Sequence, residues 1–304
     1  MKITVILCTY NRYEALGRAL ESVAKSVVPE PIRWEVLIVD NNSDDRTKAV
    51  AQGFIEKHPG RFRYLFEPKA GKSYALNSGV QESDGDVLAF MDDDVTVEPT
   101  WLERITGPMS DQIYAGTGGP ILPGGDFSPP SWLSESGPYA LAPFALFAPR
   151  SDAGELKEAP FGTNMAFRRI VFEKYGGFRT DLGPSPGSEI RNEDTEFGGR
   201  LLAAGERLYY VPSAAVYHPV LKQRLEKRYH LAWWFAKGRA DVREFGVTAD
   251  TIRIWGIPVR LFARGVKMAV LWSMAAGSSH RFALKVKLWN TMGAVRESFE
   301  LRRS

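Results

Sequence analysis

Three consecutive aspartates, Asp92-Asp93-Asp94, close an apolar run over residues 87–91. If that run is a strand, alternation puts Asp92 and Asp94 on one face. Two carboxylates converging there repel unless a cation lies between them. Hard oxygen ligands favour Mg²⁺ or Mn²⁺, ions that bridge protein carboxylates and phosphates. The plainer reading is a solvated acidic turn, because turns favour Asp. Two further apolar runs, 3–7 and 36–39, also end in polar residues: Thr9-Tyr10-Asn11-Arg12 and Asp40-Asn41-Asn42-Ser43. A second acidic group, Glu193-Asp194-Thr195-Glu196, follows Asn192. Glu193, Asp194 and Glu196 gather three carboxylates in four residues, any of which can take a proton. First-turn acids that complement a helix dipole are the plainer reading of this group.

These residues need elements to hold them. Residues 3–7, 36–39, 62–66 and 87–91 read as buried strands, and 12–26, 43–57 and 71–82 as helices between them. Continuous apolar strands alternating with helices predict a parallel sheet covered on both faces, a doubly wound, Rossmann-like α/β arrangement. In such a sheet, ligands bind beyond the carboxyl ends of the strands. The three polar strand ends are therefore expected on one edge. Residues 116–160 are rich in Gly and Pro, and their length, glycines and embedded Trp132 predict a lid or binding loop over 127–139. A returning strand over 162–167 and helices over 168–175 and 192–204 follow, then short strands at 207–211 and 214–217.

The 304-residue chain has a formal net charge of +3, unevenly spread: residues 219–304 carry a net of +11 and residues 1–218 a net of −8. Cys8 is the single cysteine, which excludes an intramolecular disulfide. Its plainest role is a small apolar strand residue. No secretory signal and no run of about 18 apolar residues is expected to anchor the chain. A cytoplasmic protein is the expectation. Gly71-Lys72-Ser73 ends like a phosphate loop, but Phe66 occupies the first glycine position, so that motif is absent.

The segments Val5 through Arg12, Glu35 through Ser43 and Met91 through Asp94 resemble the signatures of family 2 glycosyltransferases with the GT-A fold. Gly71 through Gly79, Gly162 through Phe167 and Asn192 through Glu196 are similar to later family segments. The resemblance covers about residues 1–218 in the family's order, with a nucleotide-binding half over about 1–115 and an acceptor half over about 116–218. It implies an inverting hexosyl transfer from a nucleotide-diphosphate sugar, UDP by default, onto an acceptor hydroxyl, with Mn²⁺ or Mg²⁺ on the diphosphate. It further implies that Thr9, Tyr10, Arg12, Asp40, Asn42, Lys72, Asp92 and Asp93 surround the nucleotide, and that Asn164 touches a sugar. Asp94 and His218 would bind the metal, and Asp194, beside Glu193, would be the base.

Residues 219–304 are expected to form a helical, basic extension, with Trp233, Trp234, Trp255, Trp272 and Trp289 among the charges. That mixture suits either an anionic membrane surface and a lipid-linked acceptor, or a packing cap. No nucleic-acid-binding motif accompanies it. Two other functions compete. A sugar nucleotidyltransferase normally carries a Gly-rich phosphate loop, and Thr9-Tyr10-Asn11-Arg12 has no glycine. A non-catalytic nucleotide-sugar-binding module has no need of both acidic sets.

Overall fold

The computed structural model describes residues 1–110, 112–133, 141–246 and 252–302. They form two compact units. The first comprises Met1–Gly125, Leu146–Thr180 and Glu193–Pro219; the second comprises Asp126–Ala145, Asp181–Asn192 and Val220–Ser304.

The first unit is built on an eight-stranded sheet. Its first half alternates β1 (Lys2–Thr9), α1 (Tyr13–Val23), β2 (Arg33–Asp40), α2 (Thr47–Lys57), β3 (Phe62–Phe66), α3 (Lys72–Glu82) and β4 (Val87–Asp92). Then come β5 (Thr96–Val97), α4 (Trp101–Thr106), β6 (Gly116–Gly118), β7 (Ile121–Pro123), β8 (Gly154–Leu156), β9 (Asn164–Arg168), α5 (Arg169–Tyr175), α6 (Glu193–Ala203), β10 (Leu208–Tyr210) and β11 (Val216–His218). The sheet order is β3-β2-β1-β4-β9-β6-β10-β8, and a small second sheet orders β5-β11-β7. Strands β1 to β4 are mutually parallel, while β9 runs antiparallel to both neighbours.

Alternation in the sequence decides which side chains meet which helices. Ile3, Val5, Leu7, Val36, Ile38, Val87, Ala89 and Met91 pack on one face with Leu16 and Leu20 of α1 and Trp101 and Ile105 of α4. Ile6, Leu37, Val39, Leu88 and Phe90 pack on the other with Leu76 of α3, Phe172 of α5 and Phe197 of α6. Both faces are thus covered, as continuous apolar strands require. The sheet register pairs Thr9 with Asp40 and Cys8 with Asp92, so the three polar strand ends lie side by side.

One expectation needs correction. The segment 116–160, read as one long loop, contributes β6, β7 and β8 to the sheets. Its β residues are too few per strand for alternation to show in sequence. The second unit takes in 126–145 and 181–192 besides 220–304. Of the lid predicted over 127–139, residues 134–139 lie outside the described residues. The described part is anchored by ring contacts: Phe127 meets Phe144 at 5.1 Å, and Trp132 meets Phe282 at 4.7 Å between centroids.

The second unit contains α7 (Lys227–Phe245), a hairpin of β12 (Arg253–Ile254) and β13 (Ile257–Pro258), α8 (Val259–Met274) and α9 (Ser278–Glu300). Helices α7 and α9 approach through glycines. A Cβ on Gly238 would lie 1.9 Å from the Asn290 carbonyl oxygen, and one on Gly293 would lie 2.0 Å from that of Phe235. Glu297, with no exposed surface, accepts from Arg239 Nε at 2.7 Å and also from Arg243. The backbone contact leaves no room for a methyl group. Gly238→Ala is therefore expected to destabilise the protein by about 1–3 kcal/mol, the usual range for over-packing. A denaturant midpoint unchanged from wild type would refute this.

Candidate active site

The end of β4 delivers the aspartate triplet, but not in the expected way. The strand stops at Asp92, and the turn that follows sends the three carboxylates to different partners. Asp92 accepts from Lys72 Nζ at 2.7 Å and from Thr163 Oγ1 at 2.6 Å. Asp93 accepts from Thr9 Oγ1 at 2.7 Å and from Arg12 at 3.2 Å. Asp94 pairs with Arg12 at 2.9 Å, and its Oδ2 lies 3.5 Å from His218 Nε2. The alternation that would put Asp92 and Asp94 on one ion ends with the strand, and the two are neutralised separately.

Lys72, at the first position of α3, sits between two acidic groups. Its ammonium is 2.7 Å from Asp92 and 3.7 Å from Glu193 Oε1. Burial opposes its charge, but Asp92 and Glu193 outweigh burial and raise its pKa above the ordinary lysine value. Burial would likewise raise the Asp92 carboxyl, yet Lys72 prevails and holds it below the usual range. Asp93 differs: burial pushes it up to about 6 despite Arg12. Glu193, 3% exposed, is pushed up to about 7 by burial and by the charge of Asp194. Burial also raises the Cys8 thiol, which leaves it an unreactive strand residue.

Asp194 is positioned by backbone. Its Oδ2 accepts from Gly162 N–H at 2.5 Å and its Oδ1 from Thr195 N–H at 2.7 Å. A Cβ on Gly162 would lie 3.0 Å from that Oδ2, so glycine permits the close approach. Unlike buried Glu193 in the same turn, Asp194 is partly exposed. It can meet a hydroxyl without first being uncovered.

A carboxylate and an imidazole, Asp94 and His218, suit a divalent ion of the Mn²⁺ type. His218 is 2% exposed, turns Nε2 toward Asp94, and leaves Nδ1 buried without a hydrogen-bond partner. No set of three His, Cys, Asp or Glu side chains gathers for a metal among the described residues. The donor set fits an ion whose shell is completed by phosphate oxygens and water, which is how such ions are commonly held.

The remaining predicted residues divide into exposed and buried. Tyr10, Arg12 and Asn42 are exposed, and Lys72, Asp92 and Asp94 are partly so. Asp40 is 1% exposed and accepts from Ser43 N–H and Tyr64 Oη. Thr9 and Asp93 are buried against each other and support Arg12 from below. Asn164 has no exposed surface: its amide donates to the Pro120 and Ala214 carbonyls and accepts from Trp101 Nε1, which replaces the expected sugar contact. Trp132, expected in the binding loop, packs edge-on against His230 and Phe282 in the second unit. Thr163 was missed as a partner of Asp92, although it stands next to Asn164 in a segment already singled out. Tyr64 carried no local signal, because its role exists only across the β2–β3 pairing.

The chain matches the sequence profile described as glycosyl transferase family 2 over residues 4–176. The succinoglycan biosynthesis protein ExoM of Rhizobium meliloti is 30% identical over 296 residues, covering 95% of this chain and 90% of that protein. A glucosyl-dolichyl phosphate glucuronosyltransferase of Haloferax volcanii is 28% identical, over 74% of this chain and 72% of its own. The mannosyltransferase PcManGT from Pyrobaculum calidifontis, solved with GDP-Man and Mn²⁺, superposes with a TM-score of 0.62. At 18% identity over 99% of this chain and 86% of that one, this last likeness is one of fold.

Burial of Glu193 yields a pH signature. Its folded pKa of about 7 lies above its ordinary value of 4.5, so the fold favours the protonated form. That contribution is complete below about pH 4.5 and is lost as pH rises through about 7. Glu193→Gln keeps the neutral form at every pH. Relative to wild type, the variant should therefore gain roughly 2–3 kcal/mol between pH 5 and pH 8. Parallel denaturation curves with a constant difference at both pH values would count against the assignment.

Proposed function

The chain belongs to glycosyl transferase family 2, and on that premise we propose that it is an inverting hexosyltransferase using a UDP-sugar donor. The acceptor is a hydroxyl of a carbohydrate or of a lipid-linked sugar, met at an anionic membrane surface that the basic C-terminal unit faces. One observation carries the reading: partly exposed Asp194 is held by Gly162 and Thr195, separate from the carboxylates that Lys72 and Arg12 neutralise. Inverting transfer needs that separation, with one group of charges managing the diphosphate and another carboxylate taking the acceptor proton.

Arg12 and Lys72 supply positive charge to the donor's phosphates, and Tyr10 and Asn42 flank the nucleotide from the exposed ends of β1 and β2. Asp92, fixed by Lys72 and Thr163, accepts from donor hydroxyls. Asp94 and His218 would hold Mn²⁺ or Mg²⁺, which when bound would neutralise the charge that develops on the leaving diphosphate. Asp194 takes the proton from the acceptor hydroxyl as that oxygen bonds to the anomeric carbon and the carbon–oxygen bond to the diphosphate breaks. Glu193 stays behind it and keeps Lys72 in place.

Two measurements bear on this division of labour. Asp194→Asn should lower turnover by about 10² to 10⁴, the usual contribution of a positioned base, while leaving nucleotide affinity within a few-fold. Full activity in Asp194→Asn and none in Glu193→Gln would move the base to Glu193. Asp94→Ala should abolish the Mn²⁺-dependent part of UDP binding in calorimetry. Undiminished UDP affinity in Mn²⁺ would contradict the metal assignment.

A further inference from the structure

Helix α8 is rich in apolar residues and buries none of them. On a water-soluble helix the apolar stripe normally faces the core. Here the pattern is reversed. Phe262, Val266, Val270 and Met274 recur every four residues, drifting about 40° per step, and all four are exposed. Val266 is 65% exposed and Met274 79%. The opposite side is the one tied down: Arg264 donates to Asn290 Oδ1 on α9 at 3.0 Å, and Trp272 lies under Arg281 and Lys285 of α9.

The chain immediately before α8 extends the pattern. Ile252 and Ile254 are exposed, and Trp255, at the turn between β12 and β13, is 73% exposed with φ +53°. A bulky side chain in the left-handed region is uncommon. The turn therefore presents an indole to the outside at some conformational expense. Contiguous exposed apolar surface on this scale marks an interaction site rather than ordinary surface.

Charge selects the partner. Arg260 and Lys267, seven residues apart, flank one side of the stripe, within a region of net charge +11. Two copies of this chain joined through the same face would bring like charges together, which disfavours that pairing. An anionic bilayer is complementary: basic residues flank an apolar stripe, and an indole suits the headgroup depth. No helix among the described residues is long and apolar enough to cross a membrane, so α8 fits a helix lying in the interface.

We propose that α8, with the Trp255 turn, is the element that docks this chain on an anionic lipid surface. The proposal rests on the membrane-facing acceptor reading above and assigns it to one face of one helix. It is tested with the full chain and sedimented vesicles of phosphatidylglycerol and phosphatidylcholine, or of phosphatidylcholine alone. Binding is expected on the anionic vesicles only, and should fall in 1 M salt as screening shortens to about 3 Å. The double variant Val266→Asp/Val270→Asp should lose at least about tenfold in partitioning. Arg260→Glu/Lys267→Glu, which alters only exposed side chains, should lose at least about fivefold per charge. Circular dichroism and thermal unfolding check that each variant is folded.

Wild-type binding that both double variants retain in full would overturn the assignment to α8 while leaving a membrane-bound enzyme. No binding of wild type to anionic vesicles would overturn both the assignment and the membrane reading, without touching the transfer chemistry. A wild-type dimer in sedimentation equilibrium that Val266→Asp/Val270→Asp converts to monomer would give the face to a second copy, and would also overturn the proposal.

Discussion

Five carboxylates meet two cations at the carboxyl edge of the main sheet. Asp92, Asp93, Asp94, Glu193 and Asp194 surround Lys72 and Arg12. Like charges in a partly buried place can share it only if cations stand among them or some are protonated. Both solutions are in use. Lys72 keeps Asp92 ionised, whereas Glu193 and Asp93 are driven toward their neutral forms. Removing either cation would leave buried carboxylates uncompensated, which is strongly destabilising. The excess of acid over base is a cost to the fold, and protonation of Glu193 and Asp93 relieves part of it.

The surrounding structure keeps that charge in place with rigid parts. Thr163 from the start of β9 holds Asp92, Thr9 from the end of β1 holds Asp93, and two backbone N–H groups hold Asp194. Asn164 adds no chemistry of its own, yet it joins the Pro120 and Ala214 carbonyls to the Trp101 indole in the interior beneath the site. The Asn164 amide and the Trp101 N–H are both hydrogen-bonded, as burial demands. At the rim, Asn11 and Asn42 adopt left-handed backbone conformations, which Asn tolerates better than most residues. Ser43 and Asn11 cross-link those two strand ends.

The C-terminal unit follows a different logic. Helices α7 and α9 are joined by glycine contacts and by the Glu297 ion pairs, and they form a core without help from the stripe on α8. His230, packed among Trp132, Phe144 and Phe282, is held down to about 4 by burial, so it stays neutral and structural. With packing accounted for in this way, the exposed apolar residues of α8 have no internal role among the described residues.

The alternation of strands and helices over the first half of the chain, the two-sided burial of the sheet and the polar ends of its strands were legible in sequence. They depend on local properties: period-two burial, helical spacing and the polar residues that end each strand. The glycosyltransferase family was legible for the same reason, since its signature residues lie in short contiguous segments. What sequence could not decide were partners distant along the chain. Asp94 meets His218 across 124 positions, and Asp40 is taken by Tyr64 only because β2 pairs with β3. Asn164 looks like a ligand-binding residue by type, but its hydrogen bonds are taken up by the interior, and the ring of Trp132 meets His230 and Phe282. The outward turn of the α8 stripe was equally hidden. Periodicity says that a helix has an apolar face, but only the position of α9 decides which face is left to the solvent.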